Sequence, residues 1–157
     1  LTALAIACAG IDFDLRIIPD RLTLPGIALG VVFSLALPGR GTVGGSLLDS
    51  ALGIAAGAGS LLLVALGYKY LRKIEGMGGG DVKLMAMVGA FLGWKLALLT
   101  IFLGALAGGI VGLVIAGRSA QGMKTAVPFG VFLSPAAIAA MLWGDALIGQ
   151  YLTLISR

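Results

Sequence analysis

The chain contains no histidine and a single cysteine, Cys8. The first absence excludes serine–histidine and cysteine–histidine catalysis together with every imidazole metal ligand. The second excludes an internal disulfide and a Cys-x-x-Cys zinc site, so Cys8 is expected to pack as a small apolar residue. Charge is scarce as well: 11% of the 157 residues are charged against 59% hydrophobic, and the mean hydropathy is +1.09. A water-soluble domain of this length has no use for so much apolar surface, while disorder needs polarity and a collagen-like fibre needs a three-residue period. Any catalysis is left to Asp, Glu, Lys or Ser.

What remains is a succession of apolar segments, running from about Leu1 to Phe13, Leu22 to Leu37, Leu47 to Leu66, Val82 to Gly93, Leu96 to Ala116 and Val127 to Trp143. Their lengths predict an all-α polytopic membrane protein with six transmembrane helices in one bundle. The stretch from Asp145 to Ile155, interrupted by Gly149 and Gln150, either spans or lies along the interface. Between the segments stand turn formers and charges: Pro19-Asp20-Arg21, Pro38-Gly39-Arg40-Gly41, Arg72 to Gly80, Trp94-Lys95 and Arg118 to Lys124. No soluble domain or long linker interrupts this series, so residues 1–157 read as one transmembrane domain. Its first residue is Leu1 rather than methionine, which reads as the C-terminal portion of a longer protein; no basic stretch precedes Leu1 to Gly10 to make it a signal peptide.

The 26 glycines fit a lipid setting, where small residues let helix backbones approach closely. Gly26-x-x-x-Gly30, Gly53-x-x-x-Gly57, Gly89-x-x-x-Gly93 and Gly104-x-x-x-Gly108-x-x-x-Gly112 are expected to pack helices within the bundle, and the oligomeric state stays open. Six spans divide the Lys and Arg residues unevenly. One side receives Arg16, Arg21, Lys69, Arg72, Lys73, Lys83, Arg118 and Lys124, the other only Arg40, Lys95 and Arg157. The excess places the first set in the cytoplasm. Basic residues facing anionic headgroups account for the net charge of +4, and with no aromatic-interleaved basic patch there is no call for a nucleic-acid partner.

Two acidic motifs fall on that cytoplasmic side. Asp12-Phe13-Asp14, followed by Ile17-Ile18-Pro19-Asp20, ends the first apolar segment, and Gly76-Met77-Gly78-Gly79-Gly80-Asp81-Val82-Lys83 opens the fourth. Carboxylates at membrane depth are costly and mark functional groups. Two at one depth suit an intramembrane aspartic protease, in which a shared proton lets one act as general base on water while the other protonates the peptide carbonyl. That chemistry requires no metal or cofactor. The fourth segment, about a dozen residues or roughly 18 Å, is shorter than a hydrocarbon core near 30 Å, which would put Asp81 below the headgroups. Plainer readings stand beside these: Asp81 as a helix N-cap and Asp12 as the partner of Arg16 one turn away.

Asp12 and Asp14 are two residues apart and point to nearly opposite sides of a helix, so only Asp12, the deeper, would share a site with Asp81. Asp14 and Asp20 either face solvent, cap, or meet basic substrate residues. Lys83, two residues from Asp81, would bind headgroups or substrate. Glu75 either orients the loop or pairs with Lys73. Gly78 and Gly80 are expected to adopt positive φ and let the loop approach a substrate backbone, or else to form a simple interhelical turn.

The chain resembles the type IV prepilin peptidase family, whose archaeal relatives process preflagellins and whose Gly-x-Gly-Asp motif is similar to that of presenilins. The matching residues are Ile11-Asp12-Phe13-Asp14 through Ile18-Pro19-Asp20, Leu22-Thr23-Leu24-Pro25, and Glu75-Gly76-Met77-Gly78-Gly79-Gly80-Asp81-Val82-Lys83-Leu84. Pro128-Phe129-Gly130 resembles the bacterial branch. The resemblance covers nearly the whole chain, and two acidic motifs in order on separate helices are far more specific than Gly-x-Gly-Asp alone. It implies a catalytic pair of Asp12 and Asp81 at the cytoplasmic face of the bacterial inner membrane. It also implies, as substrates, pilin-like precursors cleaved after a glycine that separates a basic leader from an apolar helix.

Bacterial members of that family usually carry an upstream segment with paired Cys-x-x-Cys motifs associated with N-methylation of the new terminus. Nothing of the kind stands in these residues, so either it belongs to a part of the protein not included here or the protein is a peptidase alone. Two rival classes fit the acidic pair less well: a small transporter using it as a proton or cation relay, which predicts a half-helix or an inverted repeat, and an assembly factor in which both aspartates are dispensable. Pilus biogenesis, type II secretion and DNA uptake share precursor chemistry, so the residues do not choose among them.

Overall fold

The computed structural model describes residues 1–15, 20–36, 47–72, 79–118 and 129–155. They form five helices and, among the described residues, no strand: α1 (Thr2–Leu15), α2 (Asp20–Ala36), α3 (Leu47–Arg72), α4 (Gly79–Arg118) and α5 (Gly130–Ile155). Helices are what such a composition can build, since each satisfies its backbone N–H and C=O groups internally where no water is at hand. Three of them, α3, α4 and α5, are long and apolar enough to cross a membrane. The stretch from Asp145 to Ile155 is no separate interfacial element, because it continues α5 without a break.

α4 is not straight. Gly93 has φ 76° and ψ 177°, a conformation open essentially to glycine alone. A Cβ placed on Gly57 of α3 would stand 2.6 Å from the Met85 carbonyl oxygen and 3.5 Å from the Ala97 Cβ, so those two atoms of α4 lie within about 6 Å of each other. Twelve residues of straight helix would hold them about 18 Å apart. The chain therefore doubles back at Gly93, and α4 consists of two antiparallel arms, 79–92 and 94–118.

The first arm is the centre of the bundle. Residues 84–90 are all buried, as expected of a helix apolar on every side. α3 runs antiparallel along it, with Gly53 against Gly89 and Gly57 against Met85, so close that a Cβ on Gly53 or Gly89 would overlap the other's carbonyl. The Ser50 hydroxyl donates to the Ala90 carbonyl at 2.9 Å and ties the same two helices. α2 runs parallel to the first arm, with Gly30 against Ala90 and the Phe33 ring 6.3 Å from that of Phe91. α5 runs antiparallel to the second arm, with Leu133 against Gly104 and Gly144 against Leu96. α1 packs on α5 and α2.

Glycines at these crossings thus serve contacts inside the bundle, while a Cβ on Gly112 would meet nothing within 4 Å. The core cluster joins Cys8 of α1, Leu61 of α3, Leu84, Met85, Val88, Leu92 and Ala97 of α4, and Leu133 and Ala137 of α5. Its outside is equally apolar: Leu48, Leu63, Leu113 and Leu154 are each about three-quarters exposed. Hydrocarbon on both the inside and the outside is the pattern of a lipid-immersed bundle.

Candidate active site

α1 ends, and α2 and the first arm of α4 begin, at one end of the bundle. This follows from the parallel run of α2 and the first arm, with only residues 16–19 between α1 and α2. Asp12, Asp14, Asp20 and Asp81 all belong to that end. Asp81 stands in the first turn of α4, two residues inside its start, and is only 7% exposed. In this position the helix dipole and the open N–H groups of the first turn favour a carboxylate, although the residue is not the N-cap itself.

Register relates the acidic positions to the buried stripes of their helices. Asp81 prolongs the stripe Leu84, Met85, Val88 and Leu92, at spacings of three, four, seven and eleven, and all four belong to the core cluster. Ala5 and Cys8 of α1 are fully buried, and position 12 follows them at spacings of seven and four on the same helix. Cys8 belongs to the same core cluster as the α4 stripe, α1 packing on α5 and α2, and along each helix the stripe's spacing reaches an aspartate position toward the same end. α1 and α4 are both flanked by α2 and α5.

The other sequence candidates fare differently. Asp14 lies two positions from Asp12 in α1 and Asp20 opens α2; the side chains of Asp12, Asp14 and Asp20, and all of Glu75 and Gly78, lie outside the described ones. Lys83 is half-buried and stands two turns before Ala90, on the side of α4 that faces α2. Gly80 is a correction: it is helical, within the first turn of α4, and supplies no positive φ. Among the described residues the positive-φ glycine is Gly93, at the opposite end of the first arm. No group of three metal-ligating side chains occurs among the described residues.

Two buried side chains at this end escaped the sequence reading as site residues. Thr23 of α2 is 0% exposed and Ser134 of α5 is 1% exposed, and among the described residues neither hydroxyl has a hydrogen-bond partner. Their signal in the sequence is modest, a hydroxyl beside a helix proline in Thr23-Leu24-Pro25 and Ser134-Pro135.

A family model, that of the type IV leader peptidase family, matches residues 1–113. The chain belongs to that family. It is 35% identical to the prepilin leader peptidase/N-methyltransferase of Pseudomonas putida over 158 residues, covering 99% of this chain and 52% of that protein. The proteins of the same name in Aeromonas hydrophila and Pseudomonas aeruginosa are 37% and 38% identical, over 98% and 94% of this chain and 51% and 49% of theirs. The chain thus spans about half the length of the curated relatives it matches. No solved structure matches it. Its family and its long apolar helices make this leader peptidase relative an integral membrane protein.

Proposed function

We propose that this chain is the peptidase portion of an intramembrane aspartic endopeptidase that removes the basic leader from type IV prepilins or pilin-like pseudopilins at the cytoplasmic face of the inner membrane. The observation that carries this reading is the pair of stripes, on α1 and on the first arm of α4, that belong to one core cluster and whose spacing reaches an aspartate position at the same end. Asp12 and Asp81 are the catalytic pair, sharing one proton across a water. The doubling back at Gly93 supports six membrane crossings, the two arms of α4 counting separately, with the acidic end among the Lys- and Arg-rich loops.

Asp14 and Asp20 meet the basic leader, Glu75 orients the loop before α4, Gly78 lets that loop approach the substrate backbone, and Lys83, two residues beyond Asp81 in α4, contacts the substrate. The substrates are single-helix precursors with a positively charged leader, the lipids are anionic, and no metal or cofactor takes part. We assign only leader removal to these residues; in the alternative reading the full-length protein also methylates the new terminus, with residues outside these. The test is cleavage of a prepilin by the protein in liposomes, with Asp12→Asn and Asp81→Asn compared at equal amounts. Loss of cleavage in both, with the fold kept, is the expected result. Full activity in either would refute the assignment.

A further inference from the structure

Three buried hydroxyls have no partner among the described residues; Thr23 and Ser134 stand near the level of Asp81, while the third, Ser34, lies eleven residues beyond Thr23 toward the other end of α2. Thr23 precedes Gly30 by seven residues, two turns on the same face of α2, and Gly30 packs on Ala90. Counting seven residues back from Ala90 along the parallel first arm reaches Lys83, so Thr23 is within about 3 Å of the Asp81 level at 1.5 Å per residue. Ser134 follows Leu133, which packs on Gly104. Met85 and Ala97 meet at Gly57, Gly104 lies seven residues beyond Ala97 and Asp81 four residues before Met85, so Gly104 and Asp81 lie within about three residues, roughly 5 Å, of one level. Both hydroxyls lie on helices, α2 and α5, that flank the two acid-bearing helices.

A buried hydroxyl without a partner forfeits about 1–3 kcal/mol, and two near one level of an apolar bundle need a reason. Each is followed in its helix by a proline. Pro25 and Pro135 have no N–H to give, which deprives the carbonyls of Arg21 and Val131, four residues earlier, of their helical donor, but both prolines are exposed, so these carbonyls face outward. Toward the interior, this end of the bundle presents on two walls the hydroxyls of Thr23 and Ser134, which can donate and accept.

An extended polypeptide has the matching need. A scissile peptide must leave its helix to be attacked, and at membrane depth its freed N–H and C=O groups have no water to turn to. We infer that Thr23 and Ser134 are substrate-binding residues, whose hydroxyls hydrogen-bond the main chain of the precursor on either side of the carboxylates. This rests on the peptidase reading above and adds to it how an unwound segment is held without regard to its side chains.

The experiment measures kcat and KM for a prepilin substrate with the full-length protein in liposomes, for Thr23→Val, Ser134→Ala and Thr23→Ser, beside the melting temperature of each. Thr23→Val keeps the shape and removes the hydroxyl. Losing one hydrogen bond to substrate lowers kcat/KM about tenfold for Thr23→Val and for Ser134→Ala, with melting unchanged or raised, and Thr23→Ser restores the rate. Undiminished kcat/KM in Thr23→Val and Ser134→Ala overturns the inference. So does a loss that follows the melting temperature and is not rescued by Thr23→Ser, the outcome for hydroxyls that only hold an internal water. Asp12→Asn and Asp81→Asn run alongside: if they cleave, or the unaltered protein does not, the peptidase reading falls and takes this inference with it. If they behave as expected, only the role of the hydroxyls is at issue.

Discussion

Gly89→Ala is the sharpest test of the packing that positions Asp81. The added methyl would overlap the Gly53 carbonyl and stand 2.9 Å from the Ile54 nitrogen, and both are backbone atoms of α3 that no rotamer change can move. Carbon contacts relax at about 3.5–4.0 Å, so α3 must shift outward by on the order of 1 Å. Overpacking of this kind costs about 1–3 kcal/mol. The same shift stretches the bond from Ser50 to the Ala90 carbonyl, now 2.9 Å, which is worth about 1 kcal/mol. Replacing a helical glycine by alanine returns roughly 1 kcal/mol. The net loss is about 1–3 kcal/mol, or roughly 2–12 °C of melting temperature at 2–4 °C per kcal/mol for a chain of this size.

Cys8 supplies the assay, because it is fully buried in the core and is the one thiol of the chain. A dye that fluoresces on reacting with thiols reports opening of the bundle during a thermal ramp in detergent. Gly112→Ala is the control, since its Cβ meets nothing within 4 Å, and it should melt at or slightly above the unaltered protein. If Gly89→Ala melts together with Gly112→Ala, α3 and the first arm of α4 are not in backbone contact, and the geometry deduced from that crossing is wrong.

Asp12→Asn and Asp81→Asn should each abolish prepilin cleavage while Asp14→Asn retains most of it, as measured by the mass of the processed precursor. Gly93→Ala should destabilise by about 1–3 kcal/mol, because φ 76° with ψ 177° is strained for any residue bearing a Cβ; a melting temperature equal to that of the unaltered protein would contradict the turn. Single cysteines introduced at Arg16 and at Ser119 should react with an impermeant thiol reagent from the cytoplasmic side, and one at Trp94 from the opposite side, in a Cys8→Ala background. Labelling of all three from one side would remove the crossing between Asp81 and Gly93.

The apolar segments were legible because a lipid-immersed helix needs an uninterrupted apolar run, and the runs from Leu22, Leu47, Val82 and Leu96 each coincide with a helix or an arm of one. Their inward faces were not legible. Residues that face lipid are as apolar as those that face the core, so Leu63 and Leu84 look alike in sequence while one is 73% exposed and the other fully buried. What did betray the interior was size: the Gly-x-x-x-Gly pairs of α3 and α4 form the tightest crossing. The turn glycine was misjudged for a related reason. Gly80 and Gly93 are equivalent as isolated residues, and helix packing decides which must take the left-handed backbone. Gly149 and Gln150 did not end α5, since an apolar helix keeps its hydrogen bonds across a single glycine at a cost of about 1 kcal/mol. Asp12 and Asp81 were conspicuous by charge; Thr23 and Ser134, uncharged, emerged only from burial without partners.

Gly93 and Asp81 also constrain each other through distance. Twelve residues of helix separate them, about 18 Å along the first arm, against a hydrocarbon core near 30 Å. If the Gly93 turn meets the far headgroups, beside Trp94 and Lys95, the Asp81 carboxylate ends roughly 12 Å short of the near ones. A helix of ordinary spanning length would have delivered it to water. The glycine crossing with α3 prevents the arm from sliding outward to relieve this, because Gly53 and Gly89 interlock at backbone distance. A precursor whose apolar helix begins beside a basic leader can bring that junction to such a depth only by drawing the leader toward the membrane, where Lys- and Arg-rich leaders are held by anionic headgroups. Under the proposed function the short arm would select where along a precursor the bond is cut, by depth rather than by side-chain pockets, and the hydroxyls of Thr23 and Ser134 would stand near the level where that bond arrives.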